Sequence, residues 1–312
     1  MLSRESFLGY LKNELNRSQA TIDDYNEDLS LFESFFKGLS ETLTWETVDS
    51  DVIRDWMEQM MDKGNKASSV CRRLSAVRSF YRYALTRHLV DSDPAHGILP
   101  PKKDKVLPQF LKENEIDELL DGQKWGDDYD SVLARSIIMT FYETGMRVSE
   151  LLNLDEKSLD LVAREVKVTG KGDKQRVIPF GTELEDTLRN YIRLRNVEVT
   201  VSSPALFLSK NGRRVSQYLV RRIVKEGLSR VCSLKKKSPH VLRHTFATAM
   251  LNHDAGIESL KKLLGHARLS TTEIYTHTTF EQLKRVYNEA LSLIHISEPT
   301  RLLRRSRMPS SA

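Results

Sequence analysis

The chain has 312 residues, of which 39% are hydrophobic and 29% charged, which suits a globular protein of two domains. It contains neither the apolar run of roughly 18 residues that crosses a membrane nor an apolar N-terminal segment typical of a secretory signal, so no membrane contact is expected. The net charge of +5 indicates a polyanionic partner only weakly, because residues 292–312 carry four arginines and one glutamate, that is +3 of the +5.

Residues 1–98 are predicted to form a helical domain, because their apolar residues recur at helical spacing. The predicted helices are Thr21–Phe36, Trp45–Met61 with Thr44 or Asp49 as N-terminal cap, and Lys66–Leu85. Basic side chains lie on or beside the non-apolar faces of the third helix, namely Lys66, Arg72, Arg73 and Arg78. They form either a solvated helix face or a surface that binds DNA phosphates, and composition alone favours neither.

Residues 99–109 contain three prolines and three lysines, which predicts a stiff, basic linker rather than a helix. Residues 110–291 are predicted to form a second domain that contains both helices and strands. Its predicted helices are Leu111–Leu120, Ser131–Tyr142, Glu183–Arg195, Ser216–Cys232, Leu242–Asp254, Glu258–Leu264 and Phe280–Leu291.

Two short strands are predicted within this second domain, Glu165–Thr169 and Gln175–Pro179, joined by the glycine-bearing turn Gly170–Lys174. Residues 292–312 break the helical pattern with two prolines, several serines and clustered arginines. We interpret them as an appended tail, and whether this tail is native to the chain stays open.

Four patterns in the second domain carry chemically capable side chains: Thr144-Gly-Met-Arg-Val-Ser-Glu-Leu-Leu152, the turn residue Lys171, Pro239-His-Val-Leu-Arg-His-Thr-Phe-Ala247, and Leu263-Leu-Gly-His-Ala-Arg-Leu-Ser-Thr-Thr-Glu-Ile-Tyr-Thr-His277. Each alone admits a plain structural role, such as a surface arginine, a hairpin tip, a helix cap or a core tyrosine. A zinc site at His240 and His244 is disfavoured, because the glutamate of HExxH and a nearby ligand cluster are missing. Two distant cysteines, Cys71 and Cys232, exclude a cysteine-based metal site and favour a reduced, cytoplasmic protein.

Taken together, these patterns resemble the tyrosine recombinase/integrase family, and the Xer subgroup in particular. The match comprises six positions in the family's order and spacing: Arg147, Lys171, His240, Arg243, His266 and Tyr275. Their neighbours also match, as Thr-Gly-x-Arg-x-Ser-Glu-Leu, Gly-Lys-Gly, His-x-Leu-Arg-His, Leu-Gly-His and Tyr-Thr-His. The resemblance extends over residues 1–291 and implies a two-domain clamp: a helical, SAM-like core-binding domain and a mixed α/β catalytic domain.

The resemblance also implies a reaction that needs neither metal nor cofactor. Tyr275 would attack a DNA phosphodiester, release a 5′-hydroxyl and form a 3′-phosphotyrosine. A 5′-hydroxyl from another strand would then attack the phosphotyrosine, release Tyr275 and rejoin the DNA. Arg147 and Arg243 would bind the phosphate, because an arginine matches two phosphate oxygens and stays charged. His240 would take the proton of the tyrosine, Lys171 would protonate the leaving oxygen, and His266 would donate a hydrogen bond to the phosphate.

Two further residues are expected to support the catalytic side chains without touching DNA. Glu150 either orients an arginine or a histidine or forms a plain surface salt bridge, and His244 either packs or supports the site. Candidate phosphate contacts in the second domain, beside those of the first, are Arg213, Arg214, Arg221, Arg222, Lys235, Lys236 and Lys237.

The partners implied are double-stranded DNA with an inverted-repeat-like site and a homo- or hetero-tetramer on two such sites. A second Xer recombinase, a DNA translocase and a location at the bacterial nucleoid belong to the same expectation. Chromosome dimer resolution and integration or excision of a mobile element share these residues, so both remain open. The alternatives are a type IB topoisomerase, a non-catalytic DNA-binding protein and a metallohydrolase that uses the histidines.

Overall fold

The structure is a computed structural model and describes residues 2–102, 109–122, 125–170, 173–252 and 257–265. The chain divides into two compact units, Met1–Val106 and Leu107–Ala312. The described parts are mainly helical with one small sheet, which confirms the predicted fold class. No helix among the described residues is long and apolar enough to cross a membrane.

The described part of the first unit contains four helices: α1 (Arg4–Asn13), α2 (Gln19–Leu39), α3 (Ser50–Asp62) and α4 (Ala67–Thr86). Ser3 and Ser18 cap the first two helices by accepting a backbone N–H with their side chains. The apolar faces meet in an aromatic core that includes Phe7, Phe32, Phe36, Trp45, Trp56 and Phe80. Burial of these large rings stabilises a small helical unit efficiently.

Helix α3 begins later than predicted. The side chain of Asp49 accepts the backbone N–H groups of Asp51 and Val52, at 2.9 and 3.0 Å, and so starts the helix at Ser50. Trp45 therefore lies before the helix, although it is buried, and its carbonyl accepts a hydrogen bond of 3.0 Å from the Tyr81 hydroxyl. The apolar spacing reflected a shared core here and not a continuous helix.

The second unit contains seven described helices: α5 (Glu113–Asp117), α6 (Tyr129–Thr144), α7 (Val148–Leu152), α8 (Thr182–Glu198), α9 (Gln217–Val231), α10 (Pro239–Asn252) and α11 (Ile257–Leu264). The predicted helix Leu111–Leu120 is instead the short α5 followed by a π-helical turn at Glu118–Gly122. The predicted helix Phe280–Leu291 lies outside the described residues.

The sheet has the order β1 (Leu159–Asp160), β2 (Glu165–Thr169) and β3 (Gln175–Pro179), and all of its pairs are antiparallel. Strands β2 and β3 have the predicted bounds, with Val166 opposite Ile178 and Thr169 opposite Gln175. The Gly170 N–H donates to the Lys174 carbonyl at 2.8 Å and closes the base of the turn between these strands.

Helix α6 is the centre of the second unit, with contacts to α8, α9 and α10. It ends at Gly145, whose φ of +56° is a left-handed conformation that favours glycine. A Cβ at this position would also lie 2.4 Å from Phe246, so glycine is required twice over. This sharp end of α6 starts the Gly145-Met-Arg147 turn and brings it against α10.

Candidate active site

Arg243 lies on the buried side of α10 and is itself only 7% exposed. One of its terminal nitrogens, Nη1, donates to the Gly145 carbonyl at the end of α6. The other, Nη2, donates to the Leu264 carbonyl at the end of α11, at 2.7 Å. The guanidinium is therefore held in one orientation by backbone groups from two separate elements.

Arg147 approaches the same place from the start of α7. Its Nη2 donates to the Gly265 carbonyl at 2.9 Å, one residue after the carbonyl that Arg243 binds. Its Nη1 donates to Glu150 Oε1 at 3.0 Å, and its backbone N–H donates to Glu150 Oε2 at 2.7 Å. About a third of the side chain is exposed.

Glu150 is almost fully buried, at 2% exposed, which excludes the surface salt bridge that the sequence left open. Besides Arg147 it accepts two hydrogen bonds from Arg176, at 2.7 Å on Oε1 and 2.9 Å on Oε2. Burial alone would raise the pKa of this carboxyl, but the hydrogen bonds from Arg176 and Arg147 outweigh it and lower the pKa. Glu150 is thus a buried carboxylate that orients two arginines.

Arg176 is the member of this cluster that sequence reasoning missed. It lies on β3, 26 residues from Glu150, and its side chain is 15% exposed. The sequence holds only a weak signal for it, a basic residue at the second position of a short strand that follows the Gly170–Lys174 turn.

Among the described residues of the site, the three guanidiniums of Arg147, Arg176 and Arg243 outnumber one carboxylate, that of Glu150, so the described part of the site carries excess positive charge. Burial, and then the charges of Arg147 and Arg176, lower the pKa of Arg243 to about 10. Arg243 nevertheless remains protonated near pH 7. Clustered, pre-oriented guanidiniums are typical of a site that binds a phosphate group.

His240 and His244 occupy the exposed side of α10, one turn apart. The pKa of His240 is lowered, first by partial burial and then by the charges of Lys236 and Arg243. The neutral imidazole is therefore the main form near pH 7, and this form can accept a proton. Among the described residues, no cluster of three or more histidine, cysteine or carboxylate side chains has the arrangement of a metal site.

Three predicted catalytic residues, Lys171, His266 and Tyr275, lie outside the described residues. The residues that directly precede two of them, Gly170 and Gly265, do belong to the described site. A Cβ on Gly170 would lie 3.3 Å from Glu150 Oε1, and Gly265 supplies the carbonyl that Arg147 binds.

The basic residues predicted to bind DNA fall into two groups. In the first unit, Arg72 and Arg73 face the buried carboxylate of Asp28, with N···O distances of 2.7 and 3.7 Å. Arg78 donates to the carbonyls of Ala95 and Ile98. These three side chains hold the first unit together, and whether they also contact DNA stays a prediction.

The second group is exposed and consists of Lys66, Arg213, Arg221, Arg222, Lys235 and Lys236, with Lys237 partly exposed. Arg214 differs from this group, because it donates to the carbonyls of Leu152 and Leu154 and pairs with Asp155 at 2.6 Å. Its bonds fix the loop after α7, so it has a structural role.

Comparisons with known proteins show the family of the chain. Residues 109–282 match the model of the phage integrase family, and residues 5–88 match the model of the phage integrase N-terminal SAM-like domain. The chain belongs to the phage integrase family. The resemblance found in the sequence is thereby confirmed, as is its assignment to the tyrosine recombinase enzymes.

Curated relatives are similar over nearly their whole length. The tyrosine recombinase XerC of Chlorobaculum parvum is 36% identical, with 92% of this chain and 93% of the relative covered. XerC of Staphylococcus carnosus is 36% identical, with 92% of this chain and 96% of the relative covered. XerD of Oceanobacillus iheyensis is 33% identical, with 91% of this chain and 96% of the relative covered.

Solved structures share the fold. A XerH site-specific recombinase bound to its difH substrate, in a pre-cleavage complex, has a TM-score of 0.66 at 22% identity and covers 90% of this chain and 83% of its own. The Tn1549 transposon integrase in complex with transposon right end DNA has a TM-score of 0.68 at 18% identity, and the match covers 92% of this chain and 99% of the integrase chain.

Proposed function

We propose that this protein is a site-specific recombinase that cuts and rejoins double-stranded DNA through a 3′-phosphotyrosine at Tyr275. The observation that carries the proposal is the pairing of Arg147 and Arg243, which reach one place from separate elements and bind the consecutive carbonyls of Gly265 and Leu264. His266, a member of the proposed catalytic set, follows directly in the sequence.

The first requirement of the reaction is to stabilise negative charge. A phosphodiester gains charge in its pentavalent transition state, and fixed donors that face this charge lower the barrier. Arg243 is buried and rigidly bonded, so little reorganisation is needed when the charge develops. The Arg147 side chain is about one-third exposed, and we infer that its guanidinium contacts a phosphate oxygen.

The second requirement is to move protons. Tyr275 has an ordinary pKa near 10, so a base must take its proton near neutral pH. His240 suits this role, because its pKa is lowered and its imidazole is exposed. Lys171, which follows Gly170 in the sequence, would protonate the leaving 5′-oxygen, and His266 would donate to a non-bridging phosphate oxygen.

The biological setting proposed is Xer-type resolution of chromosome dimers, because the curated relatives are named XerC and XerD. It includes a tetramer on two inverted-repeat-like sites, assembled from this chain alone or with a second Xer recombinase, and a DNA translocase as regulator. The two domains would clamp the duplex, in the cytoplasm at the nucleoid. Integration or excision of a mobile element would use the same residues.

The test is the trapping of the covalent intermediate. The full chain selects a bound duplex from a random library, and a nicked version of that duplex is then offered so that religation is prevented. We expect a covalent protein–DNA adduct that forms in the presence of EDTA and is absent in Tyr275→Phe. Arg243→Ala should form it about 10²–10³ times more slowly, because one fixed donor to the developing charge is lost.

Four outcomes would contradict the proposal. An adduct that persists in Tyr275→Phe would move the nucleophile to another residue. Loss of cleavage with EDTA would indicate a metallohydrolase. Relaxation of plasmid that lacks the selected site would favour topoisomerase activity, and binding without any adduct would favour a non-catalytic DNA-binding protein.

A further inference from the structure

The guanidinium of Arg176 joins segments of the site that are far apart in the sequence. Its two terminal nitrogens bind both oxygens of Glu150, and its Nε donates to the Leu263 carbonyl at 2.7 Å. Glu150 in turn binds the backbone and side chain of Arg147. One side chain on β3 therefore connects the start of α7 to the end of α11.

The same guanidinium lies against the base of the hairpin. Arg176 is paired with Val168 across the two strands, one step from the turn. A Cβ on Gly170 would lie 3.3 Å from Glu150 Oε1 and 3.7 Å from Arg176 Nη1, so the chain enters the turn in contact with this ion pair. Lys171 is the next residue.

The end of α11 also lies against Arg176. Gly265 has a φ of +63°, and a Cβ there would lie 3.1 Å from Nη1 and 3.3 Å from Cζ of Arg176. A larger residue at this position would push the guanidinium away from Glu150. His266 is the next residue. Gly170 and Gly265, which directly precede the proposed catalytic residues Lys171 and His266, therefore both lie beside the Arg176 guanidinium.

The geometry requires an arginine here. A planar guanidinium can hold a carboxylate with two parallel hydrogen bonds while its Nε donates in a third direction, which a lysine ammonium does not reproduce. Each nitrogen of Arg176 already has an acceptor inside the protein. This arrangement suits a support for other groups better than a contact to DNA.

We propose that Arg176 is a positioning residue for DNA cleavage. It fixes the orientation of Arg147 through Glu150 and sets the starting points of the chain segments that carry Lys171 and His266. The inference rests on the proposed function, since it concerns the same reaction at Tyr275.

The test compares Arg176→Lys with a matched control, Arg195→Lys, in the full chain. Arg195 is a buried arginine of the same unit, 1% exposed, which donates to the Leu206 carbonyl at 3.0 Å and pairs with Glu156 at 2.7 Å. We expect Arg176→Lys to slow adduct formation about 10- to 100-fold without weakening DNA binding, as is usual when a group that orients active residues is lost. Arg195→Lys should cleave at the wild-type rate.

A second substrate separates positioning from a general loss of structure. When sulfur replaces the 5′-bridging oxygen, the leaving group needs no protonation, so Lys171 becomes dispensable. The defect of Arg176→Lys should shrink on this substrate but not vanish, because Arg147 and His266 remain misplaced. Glu150→Gln releases the same contacts from the carboxylate side, and its effect on the rate should not add to that of Arg176→Lys.

Several results would overturn the inference: wild-type cleavage by Arg176→Lys, an equal loss in Arg195→Lys, an unchanged defect on the sulfur substrate, or additive effects with Glu150→Gln. If Arg176→Lys does not fold, Glu150→Gln on the two substrates decides, and equal defects on both reject the inference. A wild-type chain that forms no adduct would instead reject the proposed function itself.

Discussion

Two buried carboxylates, one in each unit of the chain, face two arginines each and yet have opposite pKa shifts. Asp28 on α2 is 0% exposed and faces Arg72 and Arg73. Burial raises its pKa, and the two arginine charges offset only part of that rise. Glu150 is nearly as buried, but its pKa is lowered.

The difference lies in the hydrogen bonds that each carboxylate receives. Asp28 has one short contact, 2.7 Å from Arg72, whereas the nearer nitrogen of Arg73 is 3.7 Å away. Glu150 receives side-chain bonds from Arg147 and Arg176 and a backbone bond from Arg147. Two nearby charges and one short hydrogen bond do not offset the effect of burial on the pKa of Asp28, whereas the larger set of donors around Glu150 outweighs it.

The largest effect expected from this comparison is on stability. Glu150→Gln should destabilise the second unit by about 3–5 kcal/mol, because it leaves buried guanidiniums without their counter-charge. Asp28→Asn should destabilise the first unit less, by about 1.5–3 kcal/mol, the range of one hydrogen bond to a charged group, since Arg72 is half-exposed and water replaces its partner.

Urea unfolding followed by tryptophan fluorescence measures the two effects separately. Trp45 and Trp56 lie in the first unit, and Trp125 lies in the second. Each variant serves as the control for the other, because each should shift the transition of its own unit only. Equal losses of stability would show that the number of donors does not matter.

The pH dependence of the two substitutions should have opposite signs. The raised pKa of Asp28 means that the folded chain binds more protons than the unfolded chain above pH 3.8, so this contribution to stability falls as pH rises through the folded pKa. The lowered pKa of Glu150 means that its contribution is present above pH 4.5 and is lost as pH falls through the folded pKa.

We therefore expect the stability difference between wild type and Asp28→Asn to shrink as pH rises from acid toward neutral. The difference between wild type and Glu150→Gln should shrink as pH falls below 4.5. Urea unfolding at a series of pH values measures both slopes. Slopes of the same sign would contradict the assignment of the two shifts.

The sequence predicted local structure well where neighbouring residues determine it. The bounds of β2 and β3 follow from alternating residues such as Val166 and Val168 and from the turn that starts at Gly170. The start of α3 was wrong, because Trp45 has the helical spacing but packs from an irregular segment, and the Asp49 side chain sets the true start. The cap was one of two candidates, and only the structure distinguishes them.

The site was predictable only as a set of motifs. Arg147 and Arg243 stand in recognisable local patterns, so the resemblance identified them. Arg176 has no such pattern, and its role depends on Glu150, 26 residues away, and Leu263, 87 residues away. Contacts over such separations arise from tertiary packing, which a single sequence does not encode in its periodicity.

The smallest expected effect concerns DNA affinity, and it extends the comparison to arginines with and without internal roles. Arg221 is exposed, and if it neutralises a phosphate, Arg221→Ala should reduce the slope of log affinity against log salt concentration by about one unit. Arg78 already donates to the carbonyls of Ala95 and Ile98, so we expect Arg78→Ala to change the slope less and to destabilise the first unit instead. Fluorescence anisotropy of a labelled duplex at several salt concentrations measures the slopes. An equal change in slope for Arg221→Ala and Arg78→Ala would show that an arginine bonded within the protein also serves DNA, because three of its five N–H donors remain free when two are occupied.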